Sequence, residues 1–194
     1  HEAVLKHIRP LGKREWPGRP PKARGKRRKP LPVALGKHPP PKIKSGCWWI
    51  ERKTEQVHLI WGVAGPPYAS RDRFAAFLLN IYLGGGMSSS LFQEIREKNG
   101  LAYTVYSSLS PFVDSGVFSI YAATGMKQVL LCLKLIEECV LRLKKELLSD
   151  EELDTIKDNL KGSVLLASDD VESRMSSIAK NEIFLGRYVN AEEV

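Results

Sequence analysis

Apolar and polar residues alternate over residues 56–61, and this pattern predicts a β-strand. Val57, Leu59 and Trp61 occupy alternate positions there, and successive side chains of a strand point to opposite faces of a sheet. Two later runs, AYTVYSSL and GVFSIYAAT, are rich in aromatic and β-branched residues, and the segment SPFVDSG between them predicts a hairpin. The run CWWI at residues 47–50 predicts one more strand, followed by a polar turn at residues 52–54.

Apolar residues spaced three and four positions apart predict a helix after the first strand and another after the hairpin. The first of these helices has Ser70 or Asp72 as its expected N-cap. The second covers residues 127–148. Its apolar face is expected to contain Val129, Leu133, Ile136, Val140, Leu143 and Leu147.

Capping signals predict further helices in the last third of the chain. Ser149 and Glu152 match a capping box, an aspartate pair at residues 169–170 offers the next N-cap, and Gly186 offers a helix end. One more helix is predicted from residue 190. Strand pairs followed by blocks of helices favour an α+β fold, with a mainly antiparallel sheet and helices packed on one of its faces.

The stretch LGGGMSSSLFQEIREKNGLAY, residues 83–103, links the first helix to the hairpin. Its glycine triplet, residues 84–86, allows positive φ and close backbone approach, so it predicts a helix end and a pliable loop. Ser90 is the expected N-cap of a short helix with Gln93 in the capping-box position, and Gly100 is the expected end. The apolar anchors expected for this helix are Leu91, Phe92 and Ile95.

Arg96 and Tyr103 are the two side chains of this stretch with a candidate function. Arginine offers a fork of donors and no acceptor, and tyrosine offers a phenolic donor. Because Gly100 lets the chain turn back between them, both side chains could point into one space and hold carbonyl oxygens. The alternative is that Arg96 pairs with a surface carboxylate and that Tyr103 is a half-buried strand aromatic.

The net charge of +8 comes from one end of the chain. Residues 1–46 hold 14 Lys and Arg against 2 acidic residues, and nine of the twelve prolines; the rest holds 16 basic against 20 acidic residues. We therefore predict a Pro/Lys/Arg-rich linker at residues 12–46 and a folded domain at residues 47–194. Basic arms bind phosphate backbones, but no nucleic-acid-binding motif accompanies this one, so nucleic-acid binding is the least favoured function.

The cysteines and histidines predict neither a disulfide framework nor a metal site. The three cysteines lack C-x-x-C spacing, and Cys132 and Cys139, seven residues apart, are expected to be buried apolar residues. None of the four histidines is followed by another three to five positions on, whereas a zinc site needs at least three protein ligands. His58 could be a ligand or a base, but a lone strand histidine is ordinarily structural. No apolar run reaches the length of a membrane span, so no membrane partner is predicted.

The run GGGMSSSLFQEIREKNGLAYTVYS resembles the signature of one half of the zinc peptidases of the pitrilysin, insulinase and mitochondrial processing peptidase family. This half is the second, non-catalytic one. The segments TEQVHLIWGV, DSGVFSIYAATG and RMSSIAKNEIFLGRYVNAEEV extend the resemblance over residues 49–194. The family's catalytic half carries the motif H-x-x-E-H, which this chain lacks.

The resemblance implies a processing-peptidase-like domain that is truncated at both ends. Residues 1–11 resemble a remnant of the preceding catalytic-half domain, although a free amphipathic turn is an equal alternative. In this family two homologous halves close around an extended peptide, and one of them holds zinc. Matching the motif implies that Arg96 and Tyr103 bind the substrate backbone and that residues Gly84, Gly85 and Gly86 let substrate come close. The implied partners are a zinc-bearing half, fused or separate, and a peptide.

The expected function is therefore the non-catalytic half of a zinc endopeptidase, with no catalytic or metal-binding residue in this chain. The chain alone is expected to be inactive, and zinc is expected in the partner half. The alternative is a structural subunit of a larger complex without proteolytic activity. The expected location is a soluble compartment, either the cytoplasm or the periplasm.

Overall fold

The computed structural model describes residue 41 and residues 44–189, which form three strands and five helices. In chain order these are β1 (Val57–Gly65), α1 (Asp72–Gly84), α2 (Phe92–Lys98), β2 (Ala102–Pro111), β3 (Gly116–Thr124), α3 (Val129–Lys145), α4 (Asp150–Asp169) and α5 (Val171–Leu185). A 3₁₀ turn, Met126–Gln128, precedes α3. The predicted remnant at residues 1–11, most of the predicted linker at residues 12–46 and the helix predicted from residue 190 lie outside the described residues, and the domain boundaries stay predictions.

The three strands form an antiparallel sheet in the order β1-β3-β2. The hairpin predicted from the sequence is therefore confirmed, with β3 in the middle and β2 at one edge of the described sheet. Helices pack on one face, the inner face, whose core residues are Leu59, Val105, Leu109, Phe118, Ile120 and Ala122. Trp61 and Val63 share this face by register but remain 38% and 46% exposed. The opposite face, the outer face, carries His58, Ile60, Thr104, Tyr106, Ser108, Ser119 and Tyr121. This arrangement confirms the α+β class and the placement of the helices.

The hydrophobic core lies between the inner face and the helices α1, α2 and α3. Cys132, Ile136 and Cys139 of α3 are fully or almost fully buried, as predicted for the two cysteines. The predicted apolar face of this helix was partly wrong. Leu147 is 97% exposed because α3 ends at Lys145, and the cysteines take the buried positions where Leu133 was expected.

The strand predicted at residues 47–50 is not formed. Residues 44–56 contain no strand, and Trp48 and Trp49 are exposed. Aromatic side chains favour strands chiefly through packing on neighbours, and neither tryptophan packs into the described core. Composition alone therefore gave the wrong element here, whereas the alternation that predicted β1 was a reliable signal.

The caps of the last two helices are as predicted. Ser149 and Glu152 form a capping box in which the Glu152 amide donates to Ser149 Oγ at 3.2 Å and the Ser149 amide donates to the carboxylate at 2.9 Å. Asp170 accepts from the Ser173 amide at 2.7 Å, and Gly186 ends α5 with a φ of 66°. Within residues 44–189, no helix is long and apolar enough to cross a membrane.

Candidate functional site

The glycine triplet sets the distance between α1 and β2. A Cβ atom on Gly84 would lie 2.8 Å from the Tyr106 carbonyl carbon and still closer to the Ser107 amide nitrogen, so only glycine fits. Ser107 Oγ donates to the Asn80 carbonyl at 3.0 Å and to its side-chain oxygen at 2.9 Å, which fixes this approach. The predicted close approach is therefore confirmed, although none of the three glycines has a positive φ.

The three glycines differ in what surrounds them. Gly84 is buried against β2, whereas Gly85 and Gly86 are exposed. A Cβ on Gly85 would meet the Ile81 Cα at 2.6 Å, but a Cβ on Gly86 would meet nothing within 4 Å. Of the predicted contact residues in the loop, Gly86 is thus the one with open space around it.

The start of α2 differs from the prediction. Ser90 already lies inside the first helical turn and makes no capping bond to Gln93. Instead Ser89 Oγ donates to the Gly86 carbonyl at 2.5 Å, and Gln93 Nε2 donates to the Met87 carbonyl at 2.8 Å. The predicted capping box was wrong because Ser90 already lies in the helix and the Gln93 amide donates to the Ser89 carbonyl at 3.0 Å instead. The side-chain bonds of Ser89 and Gln93 to loop carbonyls tie the glycine loop to α2.

Helix α2 is a short π-helix anchored on one side by two fully buried residues, Leu91 and Ile95. It ends at Lys98, and Gly100, with a φ of 59°, then turns the chain as predicted. The Leu101 amide donates to the Ile95 carbonyl at 2.9 Å, and the buried Thr124 hydroxyl donates to the Leu101 carbonyl at 2.6 Å. The turn from α2 into β2 is therefore held by bonds at both ends. A π-helix is rare and recurs at functional sites.

Arg96 lies between two aromatic rings. Its Cζ atom is 4.8 Å from the centroid of the Phe92 ring and 4.9 Å from the centroid of the Tyr103 ring. These distances are typical of cation–π contacts. The structure thus brings together the two predicted residues, Arg96 and Tyr103, and adds Phe92, which had been assigned only to the core. The i, i+4 spacing of Phe92 and Arg96 on a helix was the signal that could have revealed this contact.

Both predicted side chains are accessible to a ligand. Tyr103 is 75% exposed, so it is not the half-buried strand aromatic of the alternative interpretation. Arg96 Nε lies 4.0 Å from Glu97 Oε1, and the two side chains are 38% and 54% exposed. A surface ion pair of this length contributes little, and Arg96 has donors beyond the Nε of this pair.

A β-bulge places Tyr103 on the outer face of the sheet. Ala102 pairs with Thr124 but Thr104 pairs with Ala123, so one extra residue is inserted in β2 between them. The residues on either side of the bulge, Ala102 and Val105, are buried. The extra residue turns the Tyr103 ring away from the core and towards Arg96.

The histidine and cysteines of the described part belong to other environments. His58 Nδ1 lies 2.7 Å from the hydroxyl of Tyr121 on the outer face, which is a structural hydrogen bond. Burial raises the pKa of the Cys132 thiol, so this group is a poor nucleophile at neutral pH. Among residues 44–189, no group of three or more His, Cys, Asp or Glu side chains could hold a metal ion.

Comparison with known proteins gives the family. The family model described as "Peptidase M16 inactive domain" matches residues 6–160. A Bacillus subtilis protein named "Uncharacterized zinc protease YmxG" is 39% identical over 144 residues, which are 74% of this chain and 35% of that protein. The chain therefore spans about a third of the length of this relative.

Solved structures agree with this assignment. The peptidase M16 inactive domain from Pseudomonas fluorescens is 34% identical, with a TM-score of 0.54 over 57% of this chain and 27% of that one. A protease from Helicobacter pylori, 23% identical with a TM-score of 0.63 over 74% of this chain and 38% of that one, shows the same fold. From the family model and these relatives, we conclude that the chain belongs to the peptidase M16 family and contains its inactive domain.

Proposed function

We propose that this chain completes the substrate chamber of a zinc endopeptidase and that Arg96 and Tyr103 bind the peptide backbone near the scissile bond. The observation that supports this proposal is the position of the Arg96 guanidinium between the Phe92 and Tyr103 rings on an accessible surface. The Arg96 guanidinium lies against the ring that carries the Tyr103 hydroxyl, so two donors of different shape are neighbours there. They suit carbonyl oxygens, including an oxygen on which negative charge develops.

Preorganisation is the physical reason that this pair would assist a reaction. A free arginine side chain loses rotamer freedom when it binds a ligand. The two ring contacts already hold the Arg96 guanidinium, so less freedom remains to be lost. Donors fixed in advance stabilise developing charge more than mobile ones. The backbone at Tyr103 is held by strand pairing on both sides of the bulge and by the bond from the Leu101 amide to the Ile95 carbonyl, and the Tyr103 ring contacts the Arg96 guanidinium.

The metal would come from a homologous zinc-bearing half, on the same polypeptide or another. The donor set of the described residues does not fit a zinc site, because it offers no cluster of three ligands. When bound in the other half, zinc activates a water molecule. The part assigned to this chain is to bind and orient the peptide backbone.

The exposed glycines would admit the peptide or the facing half. Gly86 has no neighbour within 4 Å of a built Cβ, so a methyl group there would be harmless to this chain alone. We expect Gly86→Ala to lower kcat/KM of the assembled enzyme without lowering the stability of the chain. Gly84 is excluded from this role because its space is filled by β2.

The test uses the chain assembled with a zinc-bearing half and a fluorogenic peptide. Arg96→Ala and Tyr103→Phe should each lower kcat/KM by roughly 10²-fold, the scale for loss of one oxyanion donor. Phe92→Leu, which keeps an apolar side chain but removes one ring, should cause a smaller loss. Arg174→Ala and Tyr188→Phe, at exposed positions on and after α5, are matched controls that should have no effect.

Each result separates the proposal from its rivals. If Arg96→Ala and Tyr103→Phe both leave kcat/KM unchanged, the assigned role is wrong. An assembly that binds its partner half but cleaves no peptide would favour the structural-subunit alternative. Binding of DNA or RNA that disappears on deletion of residues 12–44 would favour the basic arm as the functional element.

A further inference from the structure

The bulge in β2 also joins the Arg96–Tyr103 pair to a second group of side chains. Tyr103 and Tyr106 are three residues apart, and in a regular strand this odd spacing would place them on opposite faces. The bulge inserts one residue in β2 and so shifts the alternation of faces by one position. Both rings therefore lie on the outer face. The candidate site is therefore continuous with the rest of that face.

Three of the outer-face residues form a row across the sheet, which we call the apolar row: Ile60, Tyr121 and Tyr106. They are direct partners in the strand register, Ile60 with Tyr121 and Tyr121 with Tyr106. The two tyrosine rings are stacked, with centroids 5.0 Å apart, and Ile60 is 76% exposed. The hydrogen bond between His58 Nδ1 and the Tyr121 hydroxyl holds the middle of the row.

We propose that the apolar row binds a large apolar side chain of the same extended peptide whose backbone Arg96 and Tyr103 hold. This inference rests on the proposed function and adds a substrate preference to it. The ligand is a peptide segment with an aromatic or large aliphatic residue. The row supplies stacked rings and an aliphatic side chain at a surface open to solvent, and covering it with an apolar group removes that surface from water.

The charge of the outer face favours an uncharged side chain. None of its residues on the three strands is Asp, Glu, Lys or Arg. The hydroxyl groups of Ser108 and Ser119 are bonded to each other at 2.9 Å. A charged substrate side chain would therefore lose water there without gaining a partner of opposite charge, whereas an apolar one loses nothing.

Strand geometry predicts which substrate residue meets the row. Because Tyr103 and Thr104 together oppose Ala123 at the bulge and Tyr106 opposes Tyr121, Tyr103 and Tyr106 are two register positions apart, roughly 7 Å at about 3.3 Å per residue. A peptide lying along the strands would cover the same distance in about two residues. We expect the apolar side chain two to four positions from the carbonyl that Arg96 and Tyr103 hold.

The experiment compares peptide pairs on the assembled enzyme. The two peptides of a pair differ at a single position, where one has Phe and the other has Ala. From one pair to the next, this position lies one residue farther from the scissile bond. At a position two to four residues away, the unmodified enzyme should prefer Phe by roughly 2- to 12-fold in kcat/KM, the range expected of an aromatic contact. In Tyr106→Ser this ratio should fall to near one. Ile60→Ser, at a highly exposed position that cannot disturb the core, should lower it as well.

Control variants distinguish this inference from the function on which it rests. Tyr188→Ser, a tyrosine of similar exposure after α5, should keep the ratio. Arg96→Ala should lower kcat/KM for both peptides of a pair and leave the ratio intact. A ratio that is unchanged in both Tyr106→Ser and Ile60→Ser, or an unmodified enzyme without the preference, would overturn the apolar row. Unchanged kcat/KM in Arg96→Ala would instead overturn the backbone contact.

Discussion

An isoleucine in the middle of the sheet has a different environment on each of the two faces. On the inner face Ile120 is 1% exposed and lies in a core shared with α2 and α3. On the outer face Ile60, in the strand beside it, is 76% exposed. The inner face thus accounts for the stability of the fold. The outer face holds large side chains that the fold does not bury.

This difference supports the proposed location of peptide binding. Exposed apolar surface is typical of binding sites when it is contiguous, and the apolar row is contiguous with the Arg96–Tyr103 pair through the bulge. Substitutions on the inner face should therefore change the free energy of unfolding. Substitutions on the outer face should change substrate binding and leave stability almost intact.

The largest expected effect comes from the same substitution made on the two faces. Ile120→Ala should lower the free energy of unfolding by about 2–5 kcal/mol, because it removes a buried side chain and leaves a cavity. Ile60→Ala should change it by only about 0.5 kcal/mol, as is usual for exposed positions. Urea denaturation of the chain followed by circular dichroism measures both. Equal losses would mean that the outer face is covered in solution.

Two glycines of one loop give the next largest contrast. Alanine stabilises a helix by up to about 1 kcal/mol relative to glycine. At position 84, however, the alanine Cβ would overlap the backbone of β2. We expect the overlap to dominate, so that Gly84→Ala destabilises by about 1–3 kcal/mol. Gly86→Ala should be neutral, or stabilise by about 0.4–1 kcal/mol through the unfolded state. Thermal unfolding of the two variants checks this, and destabilisation by Gly86→Ala would contradict the open space seen around it.

Elements with a clear period or cap could be predicted from the sequence. The alternation around Leu59 predicted β1, and the cap residues Ser149 and Asp170 correctly marked the starts of α4 and α5. The run CWWI failed because it had strand-forming composition without any periodicity. Ser90 failed as a cap because the helix begins before it, so that the Gln93 amide donates to the Ser89 carbonyl.

The candidate site could be predicted only in part. The residue types and the turn at Gly100 indicated that Arg96 and Tyr103 could meet, and the Arg96 guanidinium does lie against the Tyr103 ring. The bulge at Tyr103 could not be predicted, because it depends on how β2 pairs with β3 across the sheet. The apolar row was missed for the same reason. Its three residues come from three different strands, and only the pairing of those strands makes them neighbours.

The smallest expected effect measures whether the apolar row is a preformed surface. Tyr106 and Tyr121 stack with centroids 5.0 Å apart, and such a pair is worth about 0.5–1.5 kcal/mol beyond its buried area. A double-mutant cycle of Tyr106→Ala and Tyr121→Ala on the free energy of unfolding should therefore give a coupling energy of that size. Tyr106 with Ile136, which lies in the core on the far side of the sheet, is the control pair and should give no coupling. A coupling near zero for the two tyrosines would show that the rings move independently in solution. The peptide would then have to order the rings on binding, and this cost would weaken the preference for an apolar side chain.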